Sequence, residues 1–118
     1  LVALQWADGI GGLPALIARA DANAGAVADF VAGRPWIANL AEDPATASTT
    51  SVCLRFTDPR IADDAGFARR VTARLEKAGV ALDAGSYRDA PPGLRIWCGS
   101  TVETSDVAAL MPWIEWAY

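Results

Sequence analysis

Arg88 and Arg95 bracket the turn Pro91-Pro92-Gly93, and no other residues in this chain are better placed to hold a small acid. Arg95 lies between Leu94 and Ile96 in a strand-like run, where a cation without a partner is costly. Strand alternation turns it away from Leu94 and Ile96, onto the face of Gly93 and Trp97. A planar guanidinium matches a carboxylate bidentately, so two arginines beside one rigid turn suit a ligand with two anionic ends. The same pattern also accommodates Arg95 paired with a carboxylate of the chain itself, Glu103 or Asp89.

Other chemistries find little support. The 118 residues contain no histidine, which excludes Ser-His and Cys-His nucleophilic sites. Two cysteines without histidine make a zinc site improbable, and no metal site is expected. Cys53 and Cys98 both sit in apolar runs and read as buried, reduced thiols. Neither a Gly-x-Gly-x-x-Gly sequence nor a phosphate-binding loop with Lys-Ser or Lys-Thr occurs. The single lysine, Lys77, falls on the polar side of a helix near its end, without the burial or cationic neighbour that activates a Schiff-base lysine. Asp63 and Asp64 read as partners of a helix dipole rather than as an acid/base pair.

Bulk composition fits one packed domain. Hydrophobic residues make up 53% and charged residues 20%, against the low hydrophobicity of disordered chains. A net charge of -4, with no basic run, argues against a nucleic-acid partner. No apolar stretch reaches the roughly 20 residues that span a bilayer, and no signal peptide opens the chain, so a cytoplasmic location is expected. The chain begins at Leu1 inside a helical pattern, without a cap or an initiator Met, and reads as a piece of a longer protein.

The elements that would position the arginines follow from periodicity. Residues 2–10 read as the end of a helix, broken by Gly9, Gly11 and Gly12. A second helix is predicted over 13–33, from Leu13, Leu16, Ile17, Ala20, Ala24, Val27 and Val31, stopped by Gly33 and Pro35. Strands are predicted at 36–40, 51–56, 80–83 and 94–98. A third helix spans 62–78 with Gly79 as its stop. A fourth follows Thr104 as N-cap, and Pro112 should kink it. The order α-α-β-β-α-β-β-α predicts an α+β domain of two layers: a mostly antiparallel sheet of about four strands with helices packed on one face.

The stretch Tyr87-Arg88-Asp89-Ala90-Pro91-Pro92-Gly93-Leu94-Arg95-Ile96-Trp97-Cys98-Gly99, followed by Thr101-Val102-Glu103-Thr104, resembles the C-terminal region of phosphoserine aminotransferases, above all their alphaproteobacterial form. The ending Met111 to Tyr118, the run Ser51-Val52-Cys53-Leu54 with Asp58-Pro59, and Gly11-Gly12-Leu13 with Arg19 to Ala24 carry the same resemblance. It implies a single small domain over 1–118, with 1–11 the tail of an interdomain helix, in a class V, fold-type-I enzyme dependent on pyridoxal phosphate. Such enzymes move an amino group from glutamate to 3-phosphohydroxypyruvate, giving phosphoserine and 2-oxoglutarate, in serine biosynthesis. They are homodimers whose large domain holds the cofactor through a lysine, so this chain alone is expected to bind no cofactor and to be inactive. The family's arginine after Gly-Leu or Gly-Met binds the substrate carboxylate, which places that role on Arg95. A preceding arginine, often after histidine, helps bind the substrate phosphate. Arg88 takes that position here, with Tyr87 in the place of histidine and a separation one residue longer.

Two readings from other classes compete: a stand-alone α+β module that binds or senses a small ligand, and a domain serving only dimer or interdomain packing. Trp6, Trp113 and Trp116 would suit the second if they face a missing partner surface.

Overall fold

The computed structural model describes all of residues 1–118. Four helices and three strands form two layers: α1 (Val2–Gly9), α2 (Gly12–Ala32), β1 (Ile37–Asn39), β2 (Ser51–Phe56), α3 (Asp64–Lys77), β3 (Leu94–Trp97) and α4 (Thr104–Ala117), with a short 3-10 turn at Pro44–Thr46. The strands lie in the order β1-β2-β3, antiparallel throughout, with Val52 opposite Ile96 and Cys53 opposite Arg95. The predicted α+β class and one-faced helix layer are therefore present. No helix is long and apolar enough to cross a membrane.

Burial follows the side-chain alternation of the strands. Val52, Leu54, Leu94 and Ile96 face inward and meet Val27 and Phe30 of α2, Val71 and Leu75 of α3, and Val107, Met111 and Ile114 of α4 in one core. Every helix of the core covers the same face of the sheet. The opposite face carries Ser51, Cys53, Arg55, Arg95 and Trp97, none of them in that core.

The expectation of about four strands is corrected to three. The predicted strand at 80–83 is absent, and only Gly85 makes an isolated bridge, to Leu94. The cause is the end of α3. Gly79 takes φ 71 and closes the helix, with its N–H donating to Glu76 O (2.9 Å) and that of Val80 to Leu75 O (3.1 Å). This is a Schellman closure, and it draws Val80 into the helix cap. Asp83 then takes φ 51, again outside the extended region, so the run cannot lie flat along β3.

The N-cap of α4 differs from expectation. That cap is Glu103, without a side-chain cap, and Thr104 is the first residue of the helix, its hydroxyl donating to Asn23 Oδ1 at 2.6 Å. Helix α4 runs through Pro112 to Ala117. Asp63 caps α3 through Gly66 N (2.9 Å), with Asp64 in the first turn and Lys77 in the last, as the dipole prefers. Cys98 is buried in the core and its thiol is pushed up to about 11 by burial. Cys53 is half-buried on the other face, and both thiols are free.

The chain's last residue closes one end of the core. The Tyr118 ring stacks on Trp36 with centroids 3.9 Å apart, and Phe67 meets it edge-on. Its hydroxyl donates to the Asp58 carboxylate, which Arg60 also grips from Nε and Nη2. The Arg60 hydrogen bond first, and that of Tyr118 second, hold the Asp58 carboxyl well below the usual carboxylate range. A depressed acid contributes stability above its unfolded pKa of about 3.9 and loses it as pH falls toward the folded value. Asp58→Asn should therefore flatten the acid limb: between about pH 5 and 2 the urea midpoint of the wild type should fall further than that of the variant. Parallel midpoint-against-pH curves would show that the contact contributes nothing.

Candidate functional site

Arg95 points out of the sheet on its uncovered face, as alternation requires, while Leu94 and Ile96 are buried behind it. Its backbone N–H donates to Ala84 O at 2.8 Å, away from β2, and the carbonyl of the opposing Cys53 accepts from Leu40 N at 2.8 Å, away from β3. Cys53 and Arg95 thus form a pair without hydrogen bonds between them, the narrow kind in which side chains stand closest. Gly93 sets this strand's entry: a Cβ there would lie 1.9 Å from Leu54 O, so only glycine lets the turn close onto β2.

The guanidinium is largely covered, with 17% of the side chain exposed. Tyr87 supplies part of the cover, its ring centroid 4.6 Å from Arg95 Cζ. Nη2 donates to Asp83 Oδ2 at 2.9 Å and to Asp83 O at 3.2 Å. Nε is buried and has no hydrogen-bond partner. Of the carboxylates the sequence leaves open for Arg95, neither is used: Glu103 is engaged by Arg19 at 2.6 Å, and Asp83 takes the place of Asp89. Pairing across the turn between α3 and β3 had no periodic signal, because it depends on the left-handed backbone of Asp83.

A cleft of about 450 Å³ opens beside this group, between the 80–84 segment, β3 and the first turns of α4. Leu82, Asp83, Arg95, Trp97 and Asp106 are among its walls, with Trp97 half-exposed at 55%. Arg88 lies elsewhere. It is exposed and lines a separate cleft of about 350 Å³ against α3, with Arg69, Thr72 and Ser86. The two arginines that the sequence places around one turn therefore open onto different clefts.

Lys77 is exposed at the end of α3. The tryptophans are only partly covered. Trp6 lies under Arg19, with the guanidinium carbon 5.8 Å from its ring, and Trp116 under Arg74 at 4.5 Å. Trp113 meets Trp116 edge-on at 5.5 Å.

Comparison with known proteins places this arrangement among relatives. The whole chain is 48% identical over 120 residues to a phosphoserine aminotransferase of Methanosarcina barkeri, and 45% identical to that of Methanosarcina mazei. The chain spans about 30% of the length of these curated relatives. Among solved structures, a phosphoserine aminotransferase from Bacillus circulans subsp. alkalophilus superposes with TM-score 0.79 at 18% identity, covering 96% of this chain and 29% of that one. A second phosphoserine aminotransferase structure, solved in a study of radiation damage to its Schiff base, gives TM-score 0.79 at 15% identity. No family model matches the chain. The fold is thus that of one segment of these enzymes, and the sequence relationship runs the full length of the chain.

Proposed function

We propose that this chain is the C-terminal, substrate-closing domain of a phosphoserine aminotransferase, and that Arg95 is its carboxylate clamp. The observation that carries the reading is a 45–48% identity over the whole chain to enzymes of that name, together with a largely covered arginine that lines an open cleft and whose buried Nε is unpartnered. A bidentate carboxylate would satisfy that donor. In this reading residues 1–11 carry the tail of an interdomain helix, and the full-length enzyme is a cytoplasmic homodimer that transfers the amino group of glutamate to 3-phosphohydroxypyruvate. Arg88 takes the phosphate, its side chain exposed and outside every ion pair of the chain.

Pyridoxal phosphate belongs to that activity, but the residues of this chain do not fit it. The one lysine is exposed, with neither the apolar pocket nor the cationic neighbour that makes a Schiff-base nucleophile. The cofactor lysine would come from the remainder of the enzyme, and no chemical step is assigned to this domain. Its own part is to present Arg95 on a rigid strand and to exclude water when it closes over the ligand.

The full-length protein should form phosphoserine from glutamate and 3-phosphohydroxypyruvate. The isolated 118-residue chain mixed with pyridoxal phosphate should show no imine absorbance above that of a control protein. A band reducible onto Lys77, or a full-length protein without transaminase activity, would overturn the assignment.

A further inference from the structure

Three features of Asp83 stand together. It is the only non-glycine residue with positive φ, its carboxylate holds Arg95 through one oxygen only, beside its backbone carbonyl on the same Nη2, and its side chain is 89% exposed while that of Arg95 is 17% exposed. A carboxylate in that position has the charge and the acceptor geometry of a ligand acid, but it occupies only Nη2 and leaves Nε unpartnered in the cover of the site. An ion pair with one partner in water is weak, and a buried donor without an acceptor is unfavourable.

We infer that Asp83 is an internal competitor for the carboxylate site, a place-holder that the α-carboxylate of an incoming substrate displaces from Arg95. The inference rests on the clamp reading of Arg95 and assigns a further affinity-setting residue to it. The incoming carboxylate takes Nη2 and Nε together, and Asp83 swings out into the solvent that already surrounds it. Asp83 lies on one wall of the cleft with its side chain in solvent and outside the core, so displacing that side chain opens the mouth while Val80, Ala81 and Ala84 stay packed. A site occupied by its own chain part of the time binds with an apparent affinity lowered by the free fraction. Removing the competitor therefore tightens binding of every carboxylate substrate without touching chemistry.

Asp83→Asn is the suitable variant, because asparagine adopts the left-handed backbone readily and keeps the side-chain size while removing the charge. In the full-length enzyme it should lower KM for glutamate and for 3-phosphohydroxypyruvate by about 2- to 5-fold, the range of competition that one exposed ion pair offers. The inhibition constant of glutarate, a dead-end carboxylate, should fall by the same factor, with kcat within about twofold of wild type. In an Arg95→Ala background the substitution should change nothing. An unchanged or raised KM in Asp83→Asn, or a fall that persists without Arg95, would refute the place-holder. Arg95→Ala that leaves kcat/KM intact would remove the clamp itself, and the place-holder with it. Loss of kcat/KM in Arg95→Ala beside an unmoved Asp83→Asn would remove the place-holder alone.

Discussion

Arg95→Ala in the full-length enzyme should cut kcat/KM by about 2–5 kcal/mol of transition-state binding, from about 30-fold to a few thousand-fold, with KM raised. The size follows from what the substitution leaves behind. A substrate carboxylate brought into a half-covered cleft has shed part of its water, and without the guanidinium it meets the ring of Tyr87 and the wall of Trp97 instead of two N–H donors. Arg95→Lys should recover only part of the loss, because an ammonium is a point charge and cannot offer the paired donors. The substitution should cost the fold little. Its present partner, Asp83, is almost wholly in water, so that pair contributes at most about 1 kcal/mol. Steady-state kinetics with each substrate, beside a urea curve, separates the two effects. An unchanged kcat/KM would take Arg95 out of the site, while an equal loss in activity and in folded protein would make it structural.

The parts of this arrangement that were legible in sequence are those governed by local periodicity. Alternation alone puts Leu94 and Ile96 on one face and Arg95 and Trp97 on the other, and the strand obeys it because the inward pair lies in the core while no core helix packs on the outer face. The helices were legible for the same reason: Val71 and Leu75 repeat at four residues, and Gly79 ends the stripe with its positive φ. What failed was the segment at 80–83, whose Val-Ala-Leu run reads as a strand. Its first residue is consumed by the Schellman closure of α3 and its last by a left-handed turn, and neither is visible in an apolar pattern. The same turn delivers Asp83 to Arg95, so the partner of the key arginine was hidden by the misread strand. Arg88 shows the complementary limit. Sequence places it seven residues before Arg95, but the loop between them turns Arg88 onto the cleft against α3, while Arg95 lines the one beside α4.

The second large effect is expected at Asn23, which sequence periodicity treats as one polar position on an amphipathic helix. In the structure it is fully buried, and it ties α2 to the connection that leaves the Arg95 strand. Its Nδ2 is shared among the carbonyl oxygens of Cys98 (3.2 Å), Gly99 (3.2 Å) and Val102 (3.0 Å), and its Oδ1 accepts from Thr104 Oγ1 at 2.6 Å. Asn23→Ala deletes the only side chain that reaches those three carbonyls. Each buried polar group left without a partner costs about 1–3 kcal/mol, but Gly99 O keeps the N–H of Val102 (3.0 Å) and the half-buried Val102 can take up water, so a total of about 2–4 kcal/mol is expected. Asn23→Asp should be at least as damaging, since it replaces the donor with a charge that faces three carbonyl oxygens. Thr104→Val removes one bond at a part-buried position and should cost about 1 kcal/mol. Because both residues belong to one network, the double variant should lose less than the sum of the singles. Urea unfolding of the wild type and the four variants measures all of this, and a loss below about 0.5 kcal/mol in Asn23→Ala would mean that the β3–α4 connection is held by its backbone turns alone. The same network sets the exit of β3 and the start of α4, two walls of the cleft beside Arg95. Asn23→Ala should therefore also raise substrate KM in the full-length enzyme, although Asn23 itself is not among the residues lining that cleft.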